Sequence, residues 1–572
     1  MHDMASEVTL VVVIGILLIG AVATIANRIG VAAPLLLVVL GAGIALVPGA
    51  PDIEVPPEVF LTIILPPLLY TAALKVPAVD FRRNLRVIGY LSVVLVAVSA
   101  LVVALVLQSL WPVIGFAVAL ALGAVVAPPD AVAATALGKR LGLPPRVVTI
   151  LEGEGLLNDA TALVLLSTAV AAIERPGSSD VEGGMLVGDF AIAVVVALVI
   201  GAVVGYATVR IRQFAGDRAI DTAISLATPF VSFLAAESLR GSGIVAVVVT
   251  GLVIGNRSQV RIRATRRAQE SATWSTFSVI VENGVFLTMG MQLPSVMAAV
   301  DEGERHLVGV IGVGLLLCAV LLAVRLAALP PLLAWLRHHA WRLRREHDRL
   351  GERLQGIDTT TKRGARLQHV HVVRGHDLSA FRDQKLGWRD TLAIGWAGMR
   401  GVVTVAAVQT LPAETPMRAE LVLAAFVVAI VTLLVQGGTL ALLVRALGLG
   451  RDSSERRRME LESIVGEAID TGVEAMRREA QAHGIDEAVV DIASERMLAR
   501  RAWAAHVAEV DPDDPTTDVA QISRLRHIAI EAERVWLDRV RRSGRFDSAT
   551  VAVAQRIIDR EEIGLQADED EH

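Results

Sequence analysis

Cysteine is almost absent from this chain of 572 residues, because Cys318 is the only one. A disulfide framework and a cysteine metal site are therefore excluded. The sequence shows no nucleotide motif and no constellation of a nucleophile with a base, so an enzyme is not expected. The first seven residues, MHDMASE, carry no Lys or Arg, which argues against a signal peptide. The apolar run that follows them is predicted to be a first transmembrane helix.

Charge is scarce in most of the chain. Charged residues make up 20% of the sequence and hydrophobic residues 53%. Apolar runs fill residues 8–447, whereas residues 451–572 are dense in Arg, Glu and Asp. This distribution predicts an all-α polytopic membrane domain over residues 1–447, with a polar cytoplasmic loop at 337–387, and a helical cytoplasmic tail over residues 448–572.

Thirteen spans are predicted from apolar length. They lie near residues 8–26, 31–48, 57–74, 87–109, 113–137, 148–172, 187–208, 220–239, 242–256, 273–292, 306–329, 388–411 and 418–447. Every second loop between these spans is rich in Lys and Arg, and the positive-inside rule places those loops in the cytoplasm. The N-terminus is then outside the cell membrane and the tail inside. The tail contains amphipathic helical patterns that predict a solvated appendage, and a regulatory or dimer-contacting role is the alternative.

The segment LEGEGLLNDATALVLLS, residues 151–167, places acidic side chains inside an apolar span. A carboxylate at membrane depth is costly unless it is paired, protonated or bound to a cation. Glu154 and Asn158 share one helical face, and Glu152 and Asp159 share another. Asp159 has only an uncharged polar neighbour, and a buried carboxylate of that kind holds either a proton or a hard cation. Glu152 is interpreted either as a hydrated group near the cytoplasmic end or as an accessory site residue.

Two spans are predicted to be broken within the membrane. Pro128 and Pro129 lack N–H donors and interrupt the helix just before Asp130, although Asp130 can also serve simply as a helix cap. Three glycines surround Arg400 in the segment TLAIGWAGMRGVVTVAAV, and they favour local unwinding. Arg400 needs an anionic partner, and we expect that partner to be Glu154, as a structural ion pair. Paired interruptions of this kind are typical of inverted-repeat transporters.

Six blocks resemble, in order, those of the monovalent cation/proton antiporters of the CPA1 family, which includes the NhaP and NHE sodium/proton exchangers. The blocks are ILPPLLYTAAL, PPDAVAATAL, EGEGLLNDATALVL, AAESLRGSGIVAVVVTGLVIGN, ENGVFLTMGMQL and GMRGVVTVAAV. The resemblance implies a homodimer and an NhaA/NhaP-like fold of inverted repeats with two broken crossing helices. It implies that Asn158 and Asp159 mark the electroneutral branch, that Asp130 and Asp159 hold the cation transiently, and that Glu154 pairs with Arg400.

The chain departs from the family pattern at three positions near the expected site. Gly155 stands where many members have Ser, Thr71 where many have an acid, and Pro129 where many have Thr. Gly155 and Thr71 are therefore accessory positions that supply fewer side-chain oxygens than usual. A site of this composition relies more on backbone carbonyls and on water, which leaves the choice among Na⁺, K⁺ and Li⁺ open.

The predicted function is exchange of cytoplasmic Na⁺, K⁺ or Li⁺ for external H⁺, with cation and proton competing for Asp159 during alternating access. Such an antiporter serves pH homeostasis. Its partners are the transported ions, the lipid bilayer and a second copy of the chain, with no cofactor and no nucleic acid. The alternatives are a monovalent cation channel and a transporter-like ion or pH sensor that signals through the tail.

Overall fold

The structure is a computed structural model, and all its regular elements within the described part of the chain are helices. The described residues are 2–29, 33–48, 56–130, 138, 143–173, 183–214, 217–261, 264–301, 306–354, 361, 367–368, 370–372, 375, 386–412, 414–449, 453–487, 489–491, 493–494 and 519–570. They divide into two compact units. The first comprises residues 1–256, 270–338 and 386–450, and the second comprises residues 257–269, 339–385 and 451–572.

The apolar part of the chain forms the longer series of helices. They are α1 (His2–Ile29), α2 (Ala33–Ala45), α3 (Pro57–Val59), α4 (Leu65–Lys75), α5 (Ala78–Gly89), α6 (Val96–Leu110), α7 (Gly115–Val126), α8 (Pro145–Ile173), α9 (Gly183–Phe214), α10 (Arg218–Ser238), α11 (Gly243–Arg261), α12 (Ala264–Asp301), α13 (Leu307–Leu354), α14 (Trp388–Trp396), α15 (Val402–Gln409), α16 (Arg418–Thr432) and α17 (Gly438–Ala446). Single π-helical turns at Phe60–Ile64, Tyr90–Leu95 and Leu433–Gly437 join α3 to α4, α5 to α6 and α16 to α17.

Within the described residues, six helices are long and apolar enough to cross a membrane, and five further apolar helices are shorter. A described helix overlaps each of the thirteen predicted spans. The all-helical class is therefore confirmed, while the count of thirteen crossings stays a prediction. Helix α13 continues to Leu354, so the first part of the loop expected at 337–387 is helical. Most of residues 355–385 lie outside the described residues.

Small residues bring the helices of the first unit close together. A Cβ at Gly41 on α2 would overlap the carbonyl of Leu287 on α12, and a Cβ at Gly290 would overlap the carbonyl of Val38. Backbone contact of this kind drives helix association where lipid removes the ordinary hydrophobic gain. Large apolar side chains such as Leu17, 67% exposed, remain on the outer surface, as expected for a protein whose solvent is lipid.

The second unit contains three amphipathic helices from the tail, α18 (Ser453–His483), α19 (Val519–Ser543) and α20 (Ser548–Asp570). Their apolar faces meet in two small cores, one around Leu537 and one around Met476. The helical tail is thus confirmed. The domain boundary at residue 447 stays a prediction.

Candidate ion site

The candidate ion site lies where the end of α7 meets the gap between α14 and α15, and we call this place the crossing. Helix α7 ends at Val126, and residues 127–130 follow without helical structure. Helix α14 ends at Trp396, and α15 begins at Val402. The backbone N–H of Asp130 donates a 2.6 Å hydrogen bond to the carbonyl of Met399, which joins the two interruptions directly. The second half of the first broken helix, expected after Asp130, falls almost entirely outside the described residues.

The interruption around Arg400 depends on a glycine. A Cβ at Gly401 would overlap the carboxylate of Asp130, so only glycine allows the acid to lie against the second interruption. The N–H of Arg400 donates a 3.0 Å hydrogen bond to Oγ1 of Thr432 on α16. These contacts fix the non-helical backbone, as required wherever backbone loses its helical partners at membrane depth.

Helix α8 brings the Asn-Asp pair to this crossing. The amide of Asn158, fully buried, donates a hydrogen bond to the carbonyl of Pro129. That carbonyl belongs to the non-helical segment after α7, so the Asn158 amide supplies the hydrogen-bond donor that a continuous helix would otherwise provide. Asp159 is partly buried and interacts electrostatically with Asp130. The structure therefore brings the three predicted site residues Asp130, Asn158 and Asp159 together.

The prediction that Glu154 pairs with Arg400 is wrong, because Glu154 pairs with a different arginine. Arg325 on α13 holds both oxygens of Glu154, with Nη1–Oε1 and Nη2–Oε2 distances of 2.6 and 2.8 Å. Arg325 also donates to the carbonyls of Ile394 and Gly395 at the end of α14, each at 3.1 Å. The planar fork of Arg matches a carboxylate with two parallel hydrogen bonds, and Arg325 meets Glu154 in that geometry.

Arg400 binds backbone carbonyls instead. Its guanidinium donates to the carbonyls of Val126 at 3.0 Å, Gly398 at 2.5 Å and Ala127 at 3.4 Å. Within the described part of the chain, the hydrogen bonds of this guanidinium go to carbonyls alone. The carbonyls of Val126 and Ala127 lie at the C-terminal end of α7, where the helix dipole favours a cation. Arg400 is thus a buried positive charge at the end of α7 rather than the partner of Glu154.

Two charged residues of this region are missing from the sequence-based site. Arg325 lies in the apolar run LLAVRLAAL, and an intramembrane Arg is itself a signal of function. Glu282 on α12 is half-buried and interacts electrostatically with Asp130 and Lys75. Glu282 could also have been identified from the sequence, because a carboxylate within a predicted span indicates a functional residue.

The accessory positions are less informative. Glu152 is partly buried on α8, as is Gly155. The hydroxyl of Thr71 on α4 donates to the carbonyl of Leu68 at 2.8 Å and lies 3.0 Å from the Ser278 hydroxyl on α12. Thr71 is therefore engaged in packing α4 against α12. A role in ion binding for any of these three positions stays a prediction.

The fold and this candidate site indicate a class: a multi-pass membrane transporter with a helix interrupted between Trp396 and Val402. Residues 13–446 match the family model described as sodium/hydrogen exchanger, transmembrane. The chain therefore belongs to the sodium/hydrogen exchanger family, which confirms the resemblance drawn from its motifs.

Individual relatives agree with this family. The chain is 30% identical to an uncharacterized Na⁺/H⁺ exchanger of Mycobacterium tuberculosis over 98% of its own length and 96% of that protein. It is 26% identical to the Na⁺/H⁺ antiporter ApNhaP of Aphanothece halophytica, over 74% and 71% of the two chains. The solved structure of the sodium proton antiporter MjNhaP1 from Methanocaldococcus jannaschii matches 78% of this chain and 99% of that one. Its TM-score is 0.55 at 16% identity, which supports the fold.

Proposed function

We propose that the protein exchanges one cytoplasmic monovalent cation for one external proton, and that the two compete for Asp159. The observation that carries this proposal is the position of Asp159 on α8, beside Asp130 at the crossing of the interrupted helices. Carboxylate and carbonyl oxygens suit a hard cation. A carboxylate that binds either species, but not both, couples their fluxes by alternating access.

The pairing of buried charges supports an electroneutral cycle. Arg325 offsets Glu154 directly, so Glu154 need not cycle a proton. Asn158 cannot titrate, so Asp159 alone carries the exchange, and one Na⁺ or one H⁺ neutralises it. An empty site would carry its charge through a region of low dielectric, which is costly. A loaded site is neutral, so exchange is favoured over the return of an empty carrier.

The cation class is Na⁺, K⁺ or Li⁺. A sodium, potassium, lithium and rubidium/H⁺ antiporter of Bacillus subtilis is 31% identical to this chain over 50% of this chain and 44% of that protein. We further propose that the protein lies in the cell membrane as a homodimer, with its N-terminus outside and its tail in the cytoplasm, and contributes to pH homeostasis. The charge pattern of the loops supports this orientation.

Uptake of ²²Na⁺ into proteoliposomes, driven by a pH gradient, tests the exchange, and competition with K⁺ and Li⁺ ranks the cations. Asp159→Asn should abolish uptake because an amide keeps the shape but cannot cycle a proton. Asp301→Asn, at an exposed aspartate ending α12, is the matched control and should transport normally. Uptake by the Asp159 variant at the rate of its control would overturn the proposal.

Electroneutrality is tested in the same vesicles with a K⁺ potential clamped by valinomycin, once K⁺ has been shown not to be transported. The rate should not change with the sign or size of the potential, because each half-cycle moves one positive charge. A rate that follows the potential would mean that a second group titrates, with Asp130 and Glu282 the first to examine. Cation uptake without proton movement would instead indicate a channel.

A further inference from the structure

A second buried polar cluster lies on helices α4, α9, α10 and α12, apart from the residues of the ion site. We call it the Arg212 cluster. Its members are Tyr70, Arg212, Asp221, Ser225, Glu270 and Trp274, each at most 9% exposed. The proposed exchange uses none of them.

The ionic part of the cluster joins one cation to two anions. Arg212 donates from Nε and Nη2 to the two oxygens of Asp221, both at 2.8 Å. It also donates from Nη1 and Nη2 to the two oxygens of Glu270, at 2.8 and 3.0 Å. Two carboxylates thus share one guanidinium, and these three side chains carry one unit of excess negative charge. Buried charge without compensation is strongly unfavourable.

Hydrogen bonds fix the orientation of the serine beside this triad. The hydroxyl of Ser225 donates to Oε1 of Glu270 at 2.6 Å, and the indole N–H of Trp274 donates to Oγ of Ser225 at 3.0 Å. The serine proton is therefore committed to the carboxylate. One lone pair of Ser225 Oγ remains for a further donor or for a cation.

Tyr70 reaches the same place from α4. Its side chain is fully buried, and its ring lies 5.2 Å from that of Trp274. Within the described part of the chain, its hydroxyl has no hydrogen-bond partner. Ser225 is its polar neighbour, and the charged groups that act on it are Glu270, Arg212 and Asp221. A buried hydroxyl without a partner is costly and calls for an explanation.

We propose that the Arg212 cluster binds one monovalent metal cation, Na⁺ or K⁺, through the hydroxyl oxygens of Tyr70 and Ser225 and the carboxylate of Glu270. A single cation answers both anomalies, because it neutralises the excess charge and gives the Tyr70 oxygen a partner. All the donors are hard oxygens, which alkali cations prefer. The ligands come from three helices, so the bound cation stabilises their packing and is not transported. This proposal does not rest on the proposed exchange.

Thermal unfolding of the full chain in lipid nanodiscs tests the second site. The measurements use an Asp159→Asn background, which disables the transport carboxylate, and replace choline chloride by NaCl or KCl at constant ionic strength. Binding to the folded state alone raises the unfolding temperature with cation concentration. We expect that rise to persist in the Asp159→Asn protein.

Tyr70→Phe then removes one ligand without changing any charge. The half-maximal cation concentration should increase about tenfold, the equivalent of about 1.4 kcal/mol. Tyr90→Phe is the matched control, since the Tyr90 hydroxyl is 3.4 Å from the Ala328 carbonyl, outside the cluster. Ser225→Ala provides a second variant that keeps both ion pairs of Arg212.

Three results would overturn the proposal. The first is loss of all cation-dependent stabilisation in Asp159→Asn, which would assign that effect to the transport site alone. The second is an unchanged half-maximal concentration in both Tyr70→Phe and Ser225→Ala. The third is stabilisation that varies with pH but not with the cation, which would mean that the cluster holds a proton. None of these results bears on ²²Na⁺ exchange by the unmodified protein.

Discussion

The contact between Glu154 and Arg325 makes the sharpest prediction about stability. Glu154→Gln removes the charge from two hydrogen bonds of 2.6 and 2.8 Å and leaves a buried guanidinium without its anion. Loss of one partner of a buried pair costs about 3–5 kcal/mol. Arg325→Met strands the carboxylate instead. It also deprives the carbonyls of Ile394 and Gly395 of their donor, which adds about 1 kcal/mol for each lost hydrogen bond.

The double variant separates the pair from its surroundings. With both charges removed, neither is stranded, so the combined loss should fall short of the sum by about 2–3 kcal/mol. The same cycle with Glu154→Gln and Arg400→Met is the control. Arg400 binds carbonyls in the described structure, so its loss should add to that of Glu154 with a much smaller coupling.

The assay is thermal unfolding of the variants in nanodiscs at one fixed heating rate, because unfolding of a large membrane protein is irreversible and its apparent midpoint depends on that rate. Retained fluorescence on size-exclusion chromatography after heating gives an independent measure. An additive Glu154–Arg325 cycle would contradict this ion pair. A larger coupling in the Glu154–Arg400 cycle would contradict it equally.

Two further predictions concern the crossing itself. Gly401→Ala should severely reduce cation exchange, because the added Cβ would overlap the carboxylate of Asp130. Gly438→Ala is the control and should exchange normally, because the space around its Cβ is open. Equal initial rates of ²²Na⁺ uptake by the two variants would contradict the close approach of Gly401 to Asp130. Asn158→Asp should weaken exchange and lower the unfolding temperature, because an ionised carboxylate cannot donate to the Pro129 carbonyl as the amide does; a variant as stable and active as the original protein would show that this hydrogen bond is dispensable.

The predictable parts of this protein are those that local chemistry determines. The break before Asp130 follows from two prolines without N–H donors, and Asn158 and Asp159 are adjacent on one helix. The sequence also predicts that Glu154 needs a cationic partner. It does not identify that partner, because periodicity sorts residues onto the faces of one helix but does not say which distant helix packs against that face. Arg325 is 171 positions from Glu154 in sequence.

The π-helical turns were also beyond sequence analysis. The turn at Tyr90–Leu95 lies inside a mostly apolar run, with Gly89 just before it and Ser92 within it. A π-helical turn inserts one residue into the helical repeat, and it is retained where tertiary packing stabilises the changed direction of the side chains. In the same region, Oγ of Ser92 donates to the carbonyl of Glu154 at 3.1 Å. That contact spans two helices, and apolar periodicity carries no trace of it.

The two buried arginines occupy equivalent ends of the interrupted helices. Arg400 binds the last carbonyls of α7, and Arg325 binds the last carbonyls of α14. Carbonyls at such ends are the groups with which broken helices usually strip water from an ion. Here guanidinium groups already occupy them. We therefore expect a transported cation to keep more of its hydration shell at the crossing, because these carbonyls are already engaged and do not replace its water.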